Sequence, residues 1–197
     1  MKYREMQIIE EILTRLKPKI SLEWGAGYST FYFSKYLAQG ARWISVEHNG
    51  DWAAKVAALN PDKRIEICHV APNSASWTDR DTDGTYKEGA YSDFESYISF
   101  PSKFNEFDFI LIDGRARKDA LIQAHELISE KGVVVLHDAN RAIYHQPLGL
   151  YKHQALFTDG RADGGGIWVG SNGLDLNEVF DVALHKKLWR AYNIFKK

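Results

Sequence analysis

Met6, Ile9, Leu13 and Leu16 recur at three- and four-residue steps with Ile12 beside them, which predicts an amphipathic helix that Pro18 stops. The period then changes. Ile20 to Trp24 is a short, mostly apolar run that enters Gly25-Ala26-Gly27 and leads into a helical stretch from about Thr30 to Ala38, the order of strand, glycine turn and helix. Arg42 to Glu47 predicts a second strand, Asp51 to Leu59 a helix closed by Asn60-Pro61, and Arg64 to Val70 a third strand. In that third strand Ile65, Ile67 and His69 alternate with Glu66 and Cys68, as on a sheet with one less covered face. Phe107 to Asp113 and Gly132 to His137 are near-continuous apolar runs, suited to parallel strands covered on both faces. Between them Ala120, Leu121, Ala124, Leu127 and Ile128 form a helical stripe that is expected to end near Lys131-Gly132. Strands alternating with helices predict an α/β fold with a mainly parallel sheet.

Two stretches break the alternation. Residues 72 to 91 are polar, carry glycine and show no period; a loop of this length inside a compact domain is usually functional or disordered. Its Trp77, Tyr86 and Tyr91 are candidates for a lid, against the plainer alternative of incidental aromatics on an exposed loop. Ser92-Asp93-Phe94-Glu95 follows as a capping box, opening a short helix through Tyr97 and Ile98. Past residue 141, Gln154 to Thr158 and Ile167 to Gly170 are expected as two closing strands joined by the turn-rich stretch 158–166. Phe180, Leu184, Leu188 and Ala191 define a last helix whose Lys186, Lys187 and Arg190 complement its negative end.

Composition narrows the class. A chain of 197 residues buries roughly 70% of the surface that its unfolded form exposes, enough for one core, so residues 1–197 are expected to form one domain. Lys plus Arg (25) nearly balances Asp plus Glu (26), which gives no global field toward nucleic acid or an anionic membrane. Cys68 is the single cysteine and cannot close an internal disulfide. The N-terminal segment mixes charge with its apolar residues, and no later stretch is long enough to span a bilayer. A soluble, cytoplasmic protein with a small-molecule substrate is expected, with a homodimer as an option.

In an open α/β sheet the ligand lies beyond the carboxyl ends of the strands. That rule nominates Glu23 to Thr30 after the first strand, Glu47-His48 after the second, Asp113-Gly114 after the fourth and His137 to Asn140 after the fifth. Gly25 and Gly27 permit a tight turn and close approach of a ligand, and the helix that follows offers free N–H groups. A dinucleotide fingerprint would place a third glycine at position 30, which is Thr30 here. Glu47 lies 20 residues after Gly27, a spacing at which a carboxylate accepts the hydroxyls of an adenosine ribose.

The acid before the glycines carries a resemblance. Glu23-x-Gly25-x-Gly27, with Glu47 ending the second strand, resembles motif I and the ribose-binding acid of class I S-adenosylmethionine-dependent methyltransferases, over residues 19 to about 140. The resemblance implies a Rossmann-like, mainly parallel seven-stranded sheet with helices on both faces. It also implies a cofactor site of Glu23, Gly25, Ala26, Gly27, Ser29, Thr30, Glu47, His48 and Asp113. Glu47 would then hold the ribose and His48 would lie beside the adenine. Carboxylates suit the sulfonium and ammonium groups of that cofactor. The family's usual acid after strand three has no counterpart at Val70-Ala71.

FDFILIDGRARKDAL and GVVVLHDAN are similar to segments of the small O-methyltransferases related to catechol and caffeoyl-CoA enzymes, in which strand-end acids hold a divalent metal. Asp113 and Asp138 match two of those ligands. Ala139 stands where the third would be, Asn140 comes one residue late, and the position of the family's catalytic lysine is Ala116, so a metal is not favoured. Arg115 and Arg117 are candidates to clamp an anionic substrate. Without a metal, methyl transfer needs in-line positioning and, for an alcohol, removal of a proton, for which His137 and Asp138 are the candidates beside Asp113. A histidine with its ordinary pKa of about 6.5 would serve as a base near neutrality. The spacing of His137, His145 and His153 fits no zinc pattern. An NAD-dependent oxidoreductase and a cofactor-binding protein without turnover remain the alternatives to a methyltransferase.

Overall fold

The structure is a computed structural model that describes residues 1–161 and 164–195, with side chains to residue 194. Residues 162 and 163 of the turn-rich stretch 158–166 thus lie outside the described residues. Seven strands form one sheet in the order β3-β2-β1-β4-β5-β7-β6. β1 (Ile20–Trp24), β2 (Arg42–Glu47), β3 (Ile65–His69), β4 (Phe107–Ile112) and β5 (Ile128–His137) run parallel. β7 (Ile167–Ser171) is antiparallel to both β5 and β6 (His153–Phe157). The sheet is therefore mixed only at the β6–β7 edge.

Alternation along the strands divides the core in two. Trp43, Phe109, Leu111, Val133 and Val135 point to one face, where α1 (Tyr3–Leu16), α2 (Tyr28–Ser34) and α6 (Val182–Phe195) bring Ile8, Ile9, Phe33 and Trp189. Ile44, Val46, Ile110, Ile112, Val134 and Leu136 point to the other, covered by α4 (Tyr91–Ser99) and α5 (Arg117–Leu127) with Tyr97, Ile98, Leu121 and Ala124. Because both faces are covered, these strands carry no polar alternation. Each fully buried side chain of this size contributes roughly 1.5–3 kcal/mol.

Helix ends follow local chemistry. Asn49 caps α3 (Gly50–Leu59) by accepting from the Trp52 amide, and Asn60, held extended before Pro61, ends it. Lys17 closes α1 in the left-handed region ahead of Pro18. Two boundaries differ from expectation. The stripe that includes Leu127 and Ile128 does not continue as helix to residue 132: Ile128 turns extended and pairs with Phe107, so β5 starts four residues early, with a register shift before Phe109. Pairing with an adjacent buried strand outweighs a helical stripe that is almost complete by then. The capping box at Ser92 gives way to a start two residues earlier, where Asp93 accepts from the Ala90 amide at 2.9 Å.

The long segment 72–91 folds into its own small hairpin, with an Arg80–Tyr86 bridge and a turn at Gly84. Trp77 packs edge-on against Phe94, so it belongs to the core beneath the loop. No helix among the described residues is long and apolar enough to cross a membrane.

Candidate functional site

Strand order reverses between β1 and β4, and their carboxyl ends part there. A cavity of about 600 Å³ opens at that point, walled by Gly25, Ala26, Gly27, Ser29, Glu47, His48, Trp52, Asp79, Tyr86, Asp113 and Arg115. Gly25 makes the wall possible. Its φ is +98°, and a Cβ there would stand 2.8 Å from the Asp113 carbonyl oxygen and the Gly114 backbone. The glycine thus lets the β1 turn pass the β4 turn. Gly27 is extended, and a Cβ on it would meet only the Trp52 ring, at 4.0 Å.

Glu23 is not on this wall. Its carboxylate is wholly buried and accepts from Ser29 Oγ (2.5 Å), Thr30 Oγ1 (2.6 Å), Ser45 Oγ (2.9 Å) and Trp43 Nε1 (3.0 Å). Burial pushes its pKa up to about 7 against those four donors. The expected ligand contacts of Glu23 and Thr30 are therefore replaced by an internal knot that fixes the start of α2 to the sheet. The turn's amides are engaged as well: Gly25 N donates to Val46 O, Ala26 N to Glu47 Oε2 and Gly27 N to Thr30 Oγ1.

Glu47 reaches the cavity from the end of β2 and accepts two amides, Ala26 N at 3.0 Å and Asn49 N at 2.9 Å. These hold the carboxylate, and Oε2, which takes only the Ala26 amide, keeps a further lone pair. His48 lies beside it, Nδ1 2.8 Å from Glu47 Oε1 and Nε2 2.7 Å from Asp79 Oδ1. Burial opposes its charge, but the two carboxylates outweigh burial and raise its pKa. Arg115 is spent on Asp79 as well, at 3.0 Å. Trp52, half-exposed on the rim, donates Nε1–H to Ala26 O at 2.7 Å.

Asp113 also lines the cavity and belongs to a second cluster. His137 Nδ1 is 2.8 Å from Asp113 Oδ1, and its Nε2 is 3.2 Å from Oε2 of Glu5, a nearly inaccessible carboxylate on α1. A neutral imidazole would turn a lone pair toward one of these carboxylates, so the ring is held as imidazolium. Burial lowers its pKa, yet Asp113, Glu5 and Asp138 together bring it to about 9. His137 is thus a resident cation near neutrality and not the base expected from its ordinary pKa. Asp138 is held by Gly165 N (2.5 Å) and Arg117 Nη1 (3.1 Å). Burial favours protonation of Asp113 and Asp138, but His137 and Arg117 override it and lower both pKa values.

His137 and Asp138 line a neighbouring cavity, also of about 600 Å³, with Lys2, Glu5 and Arg161. Arg117 is no anion clamp: it is buried among Asp113, Asp138 and main-chain carbonyls. Asn140 serves the β6–β7 connection, donating to Asp159 Oδ1 at 2.8 Å and Gly164 O at 3.0 Å. Among the described residues, Asp113, His137 and Asp138 are the grouping that could present metal-ligating atoms together, and it includes neither His145 nor His153. Glu5, Asp79 and Trp52 were not anticipated. The first two sit on a helix and a loop remote in sequence from the strand ends they serve; Trp52 alone had a local signal, an aromatic just inside the helix that follows Glu47.

The sheet order and its covered faces are those of the Rossmann-like class I methyltransferase fold. An O-methyltransferase from Bacillus cereus, solved in complex with SAH, superposes with a TM-score of 0.62 at 15% identity, covering 87% of this chain and 82% of that one. A methyltransferase-like protein from Silicibacter pomeroyi superposes at 0.59 with 20% identity, over 94% of this chain and 95% of that one. Spermidine synthase from Thermotoga maritima also superposes, at 0.57 and 17% identity, over 91% of this chain and 61% of that one. The fold alone does not choose between such chemistries. No protein-family model matches the chain. No curated protein matches it.

Proposed function

We propose that this protein is an S-adenosylmethionine-dependent methyltransferase acting on a small acceptor, with oxygen as the atom methylated. The observation that carries this is the cavity at the switch point, where the Glu47 carboxylate, the Gly25–Gly27 backbone and the Asp113 carboxylate form one wall. The donor set suits the cofactor. Glu47, preset by two amides, would accept ribose hydroxyls, and Trp52 and His48 offer flat surfaces for adenine. The bareness of Gly27 leaves room against Trp52. Glu47 and Asp113 bring carboxylate oxygens to the cavity as hydrogen-bond acceptors; Asp79 is already paired with His48 and Arg115, and Asp113 with His137 and Arg117. Ser29 contributes from the wall, while Glu23 and Thr30 act from behind it by fixing the turn.

The cofactor supplies a methyl group on a sulfonium, and the chain's residues must hold an acceptor in line with it. Asp113 is the acid placed to orient that acceptor and to take its proton. His137 and Arg117 depress its pKa and make it a weak base, so positioning carries more of the rate than proton abstraction. His137 and Asp138 hold Asp113 and its surroundings in place. The small O-methyltransferases that superpose on the chain support the choice of acceptor atom.

Calorimetric titration with S-adenosylhomocysteine and, separately, with NAD tests the assignment. Binding of S-adenosylhomocysteine but not NAD is expected, and binding of NAD alone overturns it. Glu47→Ala should weaken S-adenosylhomocysteine by about a hundredfold, the worth of one or two charge-assisted hydrogen bonds at roughly 1.5–3 kcal/mol each. Unchanged affinity in that variant would sink the site model.

A further inference from the structure

Asp113, His137 and Asp138 bring one ligating atom each to within 4.8 Å of one another at the ends of β4 and β5. Two carboxylates on neighbouring strand ends are the kind of oxygen set that a hard divalent cation takes. Both carboxylates are already in contact with Arg117. This residue is the first of α5, and its guanidinium is buried. Nη2 is 3.2 Å from Asp113 Oδ1 and 3.3 Å from Asp113 O. Nη1 is 3.1 Å from Asp138 Oδ2 and 2.8 Å from His137 O, and Nε donates to Gly114 O at 3.0 Å. A guanidinium has five N–H groups, and here five oxygens face them.

The backbone is bent to make this fit. Ala116, just before Arg117, has φ +48°, and Asp138 has φ +59°, both in the left-handed region that non-glycine residues rarely adopt. Such conformations persist where surrounding contacts over-determine them. Glu88 of the 72–91 segment supplies more of that determination: its carbonyl accepts the Ala116 amide at 3.0 Å and its carboxylate the Arg117 amide at 2.9 Å. The carboxylates have cationic neighbours already: Asp113 and Asp138 meet Arg117, Asp138 has Arg141 at 3.8 Å, and Glu5 has Arg161, which Asp159 shares, at 3.4 Å. A divalent ion added here would have to share two carboxylates with a guanidinium at contact distance, so these residues do not fit a metal centre.

We infer that the Arg117 guanidinium is the built-in cation of this site. It stands between Asp113 and Asp138 in place of a divalent ion, acts as a positioning residue for the Asp113 carboxylate, and leaves the protein with no divalent-metal site there. The inference concerns the same site as the proposed function, but it is read with a metal probe alone.

The test is titration of EDTA-treated protein with Mn2+, following the free-ion signal by electron paramagnetic resonance. The wild-type chain should show no stoichiometric site. Arg117→Ala removes the guanidinium and leaves both carboxylates facing one space; it should bind one Mn2+ at least about tenfold more tightly than wild type, a difference of roughly 1.4 kcal/mol. Adding Asp138→Asn to that variant should abolish the gain. Arg117→Lys, which keeps the charge but not the planar fork, should stay without a site. A stoichiometric Mn2+ site on the wild-type chain that Asp138→Asn removes overturns the inference, whether or not Arg117→Ala folds. So does an Arg117→Ala chain with unchanged circular dichroism that gains no affinity. A wild type that binds both Mn2+ here and S-adenosylhomocysteine sinks this inference and leaves the methyltransferase assignment standing; one that binds neither does the reverse.

Discussion

Glu23 shows how one residue can be legible in kind and not in role. Its place before two glycines marks it in the sequence, and ligand contact is the simplest expectation for an acid at a strand end. The structure places its carboxylate behind the wall with four donors and a pKa near 7. A glutamine can reproduce the protonated acid there, with one oxygen accepting from Thr30, Ser45 and Trp43 while its amide donates to the Ser29 hydroxyl. Glu23→Gln should therefore keep the fold and flatten the pH dependence of stability between about 4.5 and 7, as thermal unfolding across that range would show. A loss of folding in Glu23→Gln would mean that the knot needs the charge. Glu47 and Asp113 were legible in both kind and place, because strand-end position alone puts them on the cavity. Glu5 was not: 132 residues separate it from His137, and no local pattern joins a helix near the chain start to the end of β5.

At the scale of elements, periodicity located the strands and helices because each has a buried face of its own. It misplaced the α5–β5 boundary because Ile128 satisfies both the helical stripe and the strand, and the choice falls to Phe107 on the neighbouring strand. The β1–α2 turn depends on backbone approach more than on any side chain. Gly25→Ala forces a Cβ to 2.8 Å from the Asp113 and Gly114 backbone just past β4 at a φ of +98°, where nothing flexible can give way. A cost of about 2–4 kcal/mol is expected from strain plus overpacking, read as a lower urea midpoint at unchanged m-value. A cost below about 0.5 kcal/mol, the level of a neutral surface change, would show that the two turns can separate. The hairpin within 72–91 was unreadable in the sequence because its order comes from contacts with other elements, Trp77 on Phe94 and Glu88 on the start of α5.

For the whole molecule, the buried titratable groups set a pH profile. His137 is raised from 6.5 to about 9, so its stabilisation is complete below about pH 6.5 and is lost as pH climbs through 9. Glu23, raised from 4.5 to about 7, acts in the same direction over its lower window. Glu5, Asp113 and Asp138 are lowered, so their stabilisation is present above the ordinary carboxylate range and disappears as pH falls through it. Stability should peak at roughly pH 5–6 and decline toward 9, measured as melting temperature at constant ionic strength. A melting temperature that stays level between 6.5 and 9 would contradict the imidazolium assigned to His137. By itself the sequence determined the α/β alternation, the glycine turn and the acids at the strand ends, since each follows from local period or from position on a strand. Tertiary structure alone decided which of those acids face the cavity, that Glu5 and Asp79 join them, and that Arg117 lies between Asp113 and Asp138. Pair distances and burial set charge state and role, and both arise only when segments far apart in the chain are packed together.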